Sequence, residues 1–278
     1  GRFRERAEAG TESVAGSLSA ALADVDGDGD LDLYVTNYRT YTLRDSFSMR
    51  LRMNGVSGKP VVTSVNGRPV TEPDLVGRFT VDEAGNLIEN GEVDALFLND
   101  GRGRFEACSF TDGRFLDEDG KPLPAPPFDW SLSAMFRDLN GDGWPDLYVC
   151  SDMASIDRLW MNLGNGRFQA ARRESLRKTS WFSMGIDFGD LNRDGLDDFF
   201  VTDMVSREHR LRQVQVSNHK LVYSRPGVID DRPQAPRNTL MVNLGDGDFA
   251  EVAYAAGLYA SEWSWAPVFL DVDLDGFE

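Results

Sequence analysis

The chain predicts an all-β fold, a β-propeller of four-stranded antiparallel blades joined by acidic loops. Two repeated patterns predict it. The pattern D-x-[DN]-x-D-G-x-x-D occurs three times, each time between two short apolar runs. The pattern Asn-x-Gly-x-Gly-x-Phe also occurs three times, each copy further along the same unit. Repeated four-strand units of this kind are how propellers announce themselves in sequence.

Each unit opens with an alternating, Ser-containing strand. These are Ser17–Ala23, Ser131–Phe136, Ser183–Phe188 and Ser264–Phe269. The acidic loop follows, and then a β-branched and aromatic run, such as Leu31-Asp32-Leu33-Tyr34-Val35-Thr36 or Leu147-Tyr148-Val149-Cys150. A third strand ends in the glycine hairpin, at Asn99 to Phe105, Asn162 to Phe168 and Asn243 to Phe249. The fourth strand starts at that Phe.

The loops carry the chemistry. The first is Asp24, Asp26, Asp28, Asp30 and Asp32. The second is Asp138, Asn140, Asp142, Trp144 and Asp146. The third is Asp190, Asn192, Asp194, Leu196 and Asp198. A fourth opens with Asp271, Asp273 and Asp275, and the chain stops before its last ligand position. So many carboxylates in nine residues repel one another unless a hard cation neutralises them. Oxygen donors at alternate positions suit Ca²⁺, which takes six to eight oxygens. Positions 1, 3, 5 and 9 supply side-chain oxygens. Position 7 (Asp30, Trp144, Leu196) supplies a backbone carbonyl, and the glycine at position 6 permits the turn. The expectation is three complete Ca²⁺ sites and a truncated fourth. An EF-hand is disfavoured: position 12 is Val35, Val149 or Val201 rather than Glu, and the flanks read as strands.

Charge is consistent with that expectation. The 278 residues hold 29 Lys+Arg against 46 Asp+Glu, a net of −17, which three bound Ca²⁺ would take to −11. Such an acidic chain is a poor partner for nucleic acid. No run approaches the ~18 apolar residues of a membrane-spanning helix, so direct membrane insertion is not expected. The two cysteines, Cys108 and Cys150, fall at small-residue strand positions; they read as free buried thiols or as a disulfide between neighbouring blades.

Loop spacing is uneven, at 114, 52 and 81 residues. The chain reads as one partial propeller. Its blades lie at about 11–110 with an insertion at 44–92, at 129–172, at 180–255 with an insertion at 206–237, and at 262–278 as an opening fragment. Hairpins are expected at Asn66-Gly67 and Ala84-Gly85-Asn86, with a further turn at Glu118-Asp119-Gly120. Both ends cut through a unit, so the sequence reads as an excerpt of a longer protein.

Together the Ser-rich strand, the acidic loop, the Leu-Tyr-Val strand and the glycine hairpin resemble the FG-GAP or VCBS repeat. Such repeats form the calcium-bearing propeller of integrin α subunits. Asp24 to Asn37 looks closest to bacterial relatives of cartilage acidic protein. The resemblance implies a non-enzymatic role in adhesion or recognition, with an extracellular protein or an anionic carbohydrate as partner. It places the protein outside the cell, at its surface or in the periplasm. The alternative is the calcium-stabilised propeller of a polysaccharide lyase. Against it, no G-x-S-x-G, H-E-x-x-H, Walker or dinucleotide motif stands in a suitable context.

Two features are candidate working surfaces. The 206–237 insertion has seven basic and three acidic residues and both histidines, so Arg207, His209, Arg210 and Arg212 are candidates for binding an anionic partner. The competing reading is that these cations neutralise acidic neighbours. Trp130, Trp181, Trp263, Trp265, Phe128 and Phe182 precede the loops; their repetition favours packing between blades over stacking on sugars.

Overall fold

The computed structural model describes residues 6–45, 48–56, 59–82, 85–152, 155–215 and 233–276. Among these residues it is mostly β, with one short α-helix, His209–Gln215. Three sheets carry the architecture. The first runs Ser17–Ala23, Asp32–Asn37, Ala95–Asn99 and Phe105–Ala107 in that spatial order. The second runs Ser131–Arg137, Asp146–Ser151, Arg158–Asn162 and Phe168–Ala170. The third runs Gly185–Gly189, Asp198–Thr202, Thr239–Asn243 and Phe249–Glu251. All neighbours within these quartets are antiparallel.

The registers are equivalent. Ser19 faces Thr36, Ser133 faces Cys150, and Gly185 faces Thr202. A register shift between Ser17 and Ser19 recurs between Ser131 and Ser133, so the Ser-x-Ser pattern marks a bulge. The sheets sit side by side through their first strands, Ser17–Ala23 against Ser131–Arg137 and that strand against Gly185–Gly189.

This stacking explains why the middle of each second strand is apolar, at Leu33–Val35, Leu147–Cys150 and Phe199–Val201. Asp146–Ser151 is buried at every position. Leu147 and Val149 join the core shared with the first sheet, beside Val25, Tyr34 and Phe168. Tyr148 and Cys150 join the core shared with the third, beside Ile186, Phe199 and Met241. A strand covered on both faces has no solvent side to keep polar.

The insertions form outside the quartets. Residues 48–90 hold a three-stranded sheet, Leu51–Val56, Lys59–Val65 and Arg68–Pro69, and a hairpin, Phe79–Val81 with Leu87–Glu89. Val62, Val65 and Leu75 give them a small core of their own. The chain turns at Asn66 and Gly67, both left-handed (φ 51 and 83), as expected; in the other hairpin Asn86 N–H donates to Asp82 Oδ1 at 2.7 Å, and Ala84 lies outside the described residues. The Glu118-Asp119-Gly120 turn also forms, closed by Gly120 N–H to Asp117 O at 3.0 Å. The same segment contributes Phe115–Leu116, a fifth strand that pairs in parallel with Phe168–Ala170.

The structure departs from the sequence reading at several points. Ser264–Phe269 is not a regular strand; the ladder here is Glu262–Trp263 with Met204–Val205. The third sheet's first strand starts at Gly185 rather than Ser183. Both cysteines are free, Cys150 buried and Cys108 half-buried, so the disulfide alternative falls away. Burial pushes both thiols up. Trp130 and Phe182 are core residues, but Trp263 and Trp265 are each 61% exposed. Trp130 packs tilted against Tyr38, with ring centroids 4.7 Å apart, and donates to Glu89 O, locking the first insertion to the second sheet. No helix among the described residues is long and apolar enough to cross a membrane.

Candidate metal centre

Each of the first three acidic loops links the first and second strands of its sheet, at the same end as the glycine hairpins. The glycine at position 6 is left-handed in all four copies: Gly29, Gly143, Gly195 and Gly276 have φ of 91, 89, 85 and 90. A Cβ there would meet nothing, so backbone conformation alone demands glycine. Position 4 is left-handed too, in Gly27 and Gly141 and also in Arg193 (φ 64) and Leu274 (φ 62).

The opening aspartate organises the turn. Asp24 accepts from Gly27 N–H at 2.7 Å and Gly29 N–H at 3.0 Å. Asp138 accepts from Gly141 at 2.8 Å and Gly143 at 2.9 Å. Asp190 accepts from Asp194 at 3.1 Å and Gly195 at 2.8 Å. Asp271 repeats this with Asp275 at 3.1 Å and Gly276 at 2.8 Å. In the middle positions Asn140 Oδ1 accepts from Asp142 N–H, and Asn192 Oδ1 from Asp194 N–H, both at 3.0 Å.

The closing aspartates, Asp32, Asp146 and Asp198, are completely buried. One oxygen of each accepts from loop position 2: Val25 at 2.9 Å, Leu139 at 3.0 Å, Leu191 at 3.1 Å. The other accepts from the backbone of the hairpin asparagine: Asn99 at 2.9 Å, Asn162 at 2.7 Å, Asn243 at 2.8 Å. Burial pushes the Asp146 carboxyl up to about 7, with the charges of Asp142 and Asp138 adding to it. Asp32 and Asp198 are raised for the same reasons, by burial first and then by Asp26 and Asp28, or Asp194 and Asp190.

The first and fourth loops bring their carboxylates together as a hard cation needs, whereas in the second and third the Asn140 and Asn192 amides donate to Asp142 and Asp194 at 2.9 and 2.8 Å. One oxygen from each of Asp24, Asp26 and Asp28 lies within 4.8 Å of the others, as does one from each of Asp271, Asp273 and Asp275. Oδ1 of Asp26 is buried without a hydrogen-bond partner among the described residues. A divalent ion would satisfy that oxygen and offset the mutual repulsion. Asp28, Asp142 and Asp194 at position 5 and Asp30, Trp144 and Leu196 at position 7 complete the donor inventory.

Motif spacing alone does not assign the hairpin asparagines to this centre. Their signal is the first letter of Asn-x-Gly-x-Gly, which reads as hairpin chemistry only.

The other candidates lie apart from the loops. Arg207 donates to Gly257 O at 2.7 Å and Ala260 O at 3.0 Å. Arg212 donates to Ser206 O at 2.9 Å. Both guanidiniums stand over the Tyr259 ring, at 5.9 and 5.8 Å. His209 and Arg210 are exposed on the helix. Lys220, Arg225, Arg232 and His219 lie outside the described residues, and Arg237 pairs with Glu251.

Residues 138–201 match the FG-GAP-like repeat family. The match begins at the first aspartate of the second loop and ends in the strand after the third. A solved structure described as the basis of specific recognition of non-reducing terminal N-acetylglucosamine by an Agrocybe aegerita lectin is similar over 82% of this chain, at 16% identity and a TM-score of 0.31. That likeness is too low to define a shared fold. The chain spans about half (49%) of that lectin's length. No curated protein matches the chain.

Proposed function

We propose that this chain is the calcium-binding part of a β-propeller whose work is recognition outside the cell, not catalysis. The observation that carries the calcium reading is the convergence of Asp24, Asp26 and Asp28, with a buried, partnerless Asp26 oxygen among them. Each sheet is a blade in this reading, and the ions hold the strand-to-strand turns. The FG-GAP-like match over 138–201 supports a binding module. The partner is an extracellular protein or an anionic carbohydrate, and the exposed His209 and Arg210 offer the contact.

One experiment tests both halves. The chain is incubated with immobilised acidic polysaccharide, with Ca²⁺ and with chelator, while ultraviolet absorbance is followed. Retention of intact polymer in Ca²⁺ is expected. Release of unsaturated uronide would overturn the non-catalytic reading, and retention indifferent to chelator would separate recognition from the ion.

A further inference from the structure

We propose that the ion loops are coupled in series, with Asn162 linking the second loop to the first and Asn243 linking the third to the second. This rests on the reading of the loops as cation sites.

Asn162 is 1% exposed and serves two sheets at once. Its backbone N–H holds Asp146 Oδ1 at 2.7 Å, the closing carboxylate of its own loop. Its side-chain Nδ2 donates to Pro145 O at 3.2 Å and, across the sheet boundary, to Val25 O at 3.0 Å. Val25 is position 2 of the first loop, and its own N–H holds Asp32 Oδ2 at 2.9 Å.

Asn243 repeats the arrangement one sheet on. Its backbone N–H holds Asp198 Oδ1 at 2.8 Å. Its Nδ2 donates to Asp197 O at 3.1 Å and to Leu139 O at 2.8 Å. Leu139 is position 2 of the second loop, and its N–H holds Asp146 Oδ2 at 3.0 Å. The path from Asp198 through Asn243, Leu139, Asp146, Asn162 and Val25 to Asp32 is continuous. Every member is buried, so no water competes for these bonds, and losing one would leave a buried polar group unmatched. Asn99 makes the same own-loop bond, with its Nδ2 on Leu31 O at 3.0 Å.

Moving one closing carboxylate onto an ion therefore moves the position-2 peptide of the preceding loop. Coupling between sites is reciprocal and commonly amounts to about 5–150-fold in affinity. Three hydrogen bonds per link place the expectation at the low end, about fivefold.

Amide resonances of Gly29, Gly143 and Gly195 report the three loops separately in the full chain during Ca²⁺ titration. Asp138→Asn, which disables the second loop, is expected to weaken Ca²⁺ binding at Gly29 and Gly195 by about fivefold. Adding Asn162→Ala should abolish the effect at Gly29 and leave that at Gly195. Adding Asn243→Ala should do the reverse, a selectivity that general destabilisation would not produce. Unchanged affinities at Gly29 and Gly195 in Asp138→Asn alone would overturn the coupling while leaving the cation sites standing. No Ca²⁺ response at any of the three glycines would overturn both. If Asn162→Ala does not fold, the Asp138→Asn measurement and the Asn243→Ala arm still decide the matter.

Discussion

Tyr148 donates its hydroxyl to Asp157 Oδ2 across 2.8 Å, and neither side chain has any exposed surface. The first sheet holds the same pair, Tyr34 on Asp94 at 2.8 Å. In the third sheet both partners change together, to Phe200 and Asn238. Asn238 Oδ1 still accepts from Asp203 N–H at 2.8 Å, as Asp157 does from Ser151 and Asp94 from Asn37. A buried carboxylate needs several donors; where the phenol is missing, a neutral amide is less costly to bury.

The first prediction concerns pH. Burial pushes the Asp157 carboxyl up to about 7, against the lowering effect of bonds from Ser151, Ser183 and Tyr148; Asp129 adds to the rise. The native state then keeps a proton that the unfolded chain releases above its ordinary value of 3.8. Stability contributed by this group is complete below that value and is lost as pH rises toward 7. Asp157→Asn should remove one proton's share of that slope, up to about 1.4 kcal/mol per pH unit. Urea midpoints at pH 5 and pH 7, at fixed calcium, check it; an unaltered slope would show that Asp157 is ionised throughout.

Ca²⁺ should raise the melting temperature and a chelator should reverse it. Binding to the native state alone contributes about 2.7 kcal/mol at a hundredfold excess over Kd. Asp142→Ala removes the position-5 carboxylate of the second loop and should lower the calcium stoichiometry by one. Identical thermal melts with and without chelator would count against ion-stabilised loops.

Gly27 lies under the Trp144 ring, and a Cβ there would stand 2.7 Å from it. The backbone is also left-handed, with φ 80. Gly27→Ala should cost about 1–2 kcal/mol from conformation alone, and more while Trp144 is present. In a Trp144→Ala background the cost should shrink toward the conformational part. A double-mutant cycle by chemical denaturation measures this, and strict additivity would mean that the ring moves aside freely.

Arg207 and Arg210 should separate stability from recognition. Arg207 ties the helix segment to Gly257 and Ala260, so Arg207→Ala should lower stability by about 1 kcal/mol. Arg210→Ser touches an exposed side chain and should leave the melting temperature within experimental spread. If the helix meets an anionic partner, Arg210→Ser should nevertheless weaken retention on an acidic polysaccharide and flatten its salt dependence. Full retention would exclude Arg210 from the contact.

The strands of the three sheets and the turns between them were legible because both signals are local. Alternation and β-branching set the runs, and a left-handed glycine sets each loop. The acidic loop positions were equally plain, since their spacing is the motif. Features that depend on distant partners were not legible. Phe115–Leu116 becomes a strand only because Phe168–Ala170 offers it an edge. Ser264–Phe269 carries a strand-like pattern without forming a ladder. Arg193 and Leu274 adopt left-handed backbone because their loops close around Asp190 and Asp271, with no glycine to signal it.

By itself, then, the sequence determined which nine residues make each loop and which runs make each strand, since turn chemistry and period act over a few neighbours. The tertiary structure decided which loop speaks to which. Asn162 reaches Val25 across 137 positions and Asn243 reaches Leu139 across 104. Contacts at such separations exist only after the sheets have stacked, because burial between their first strands is what brings those backbones within hydrogen-bonding distance.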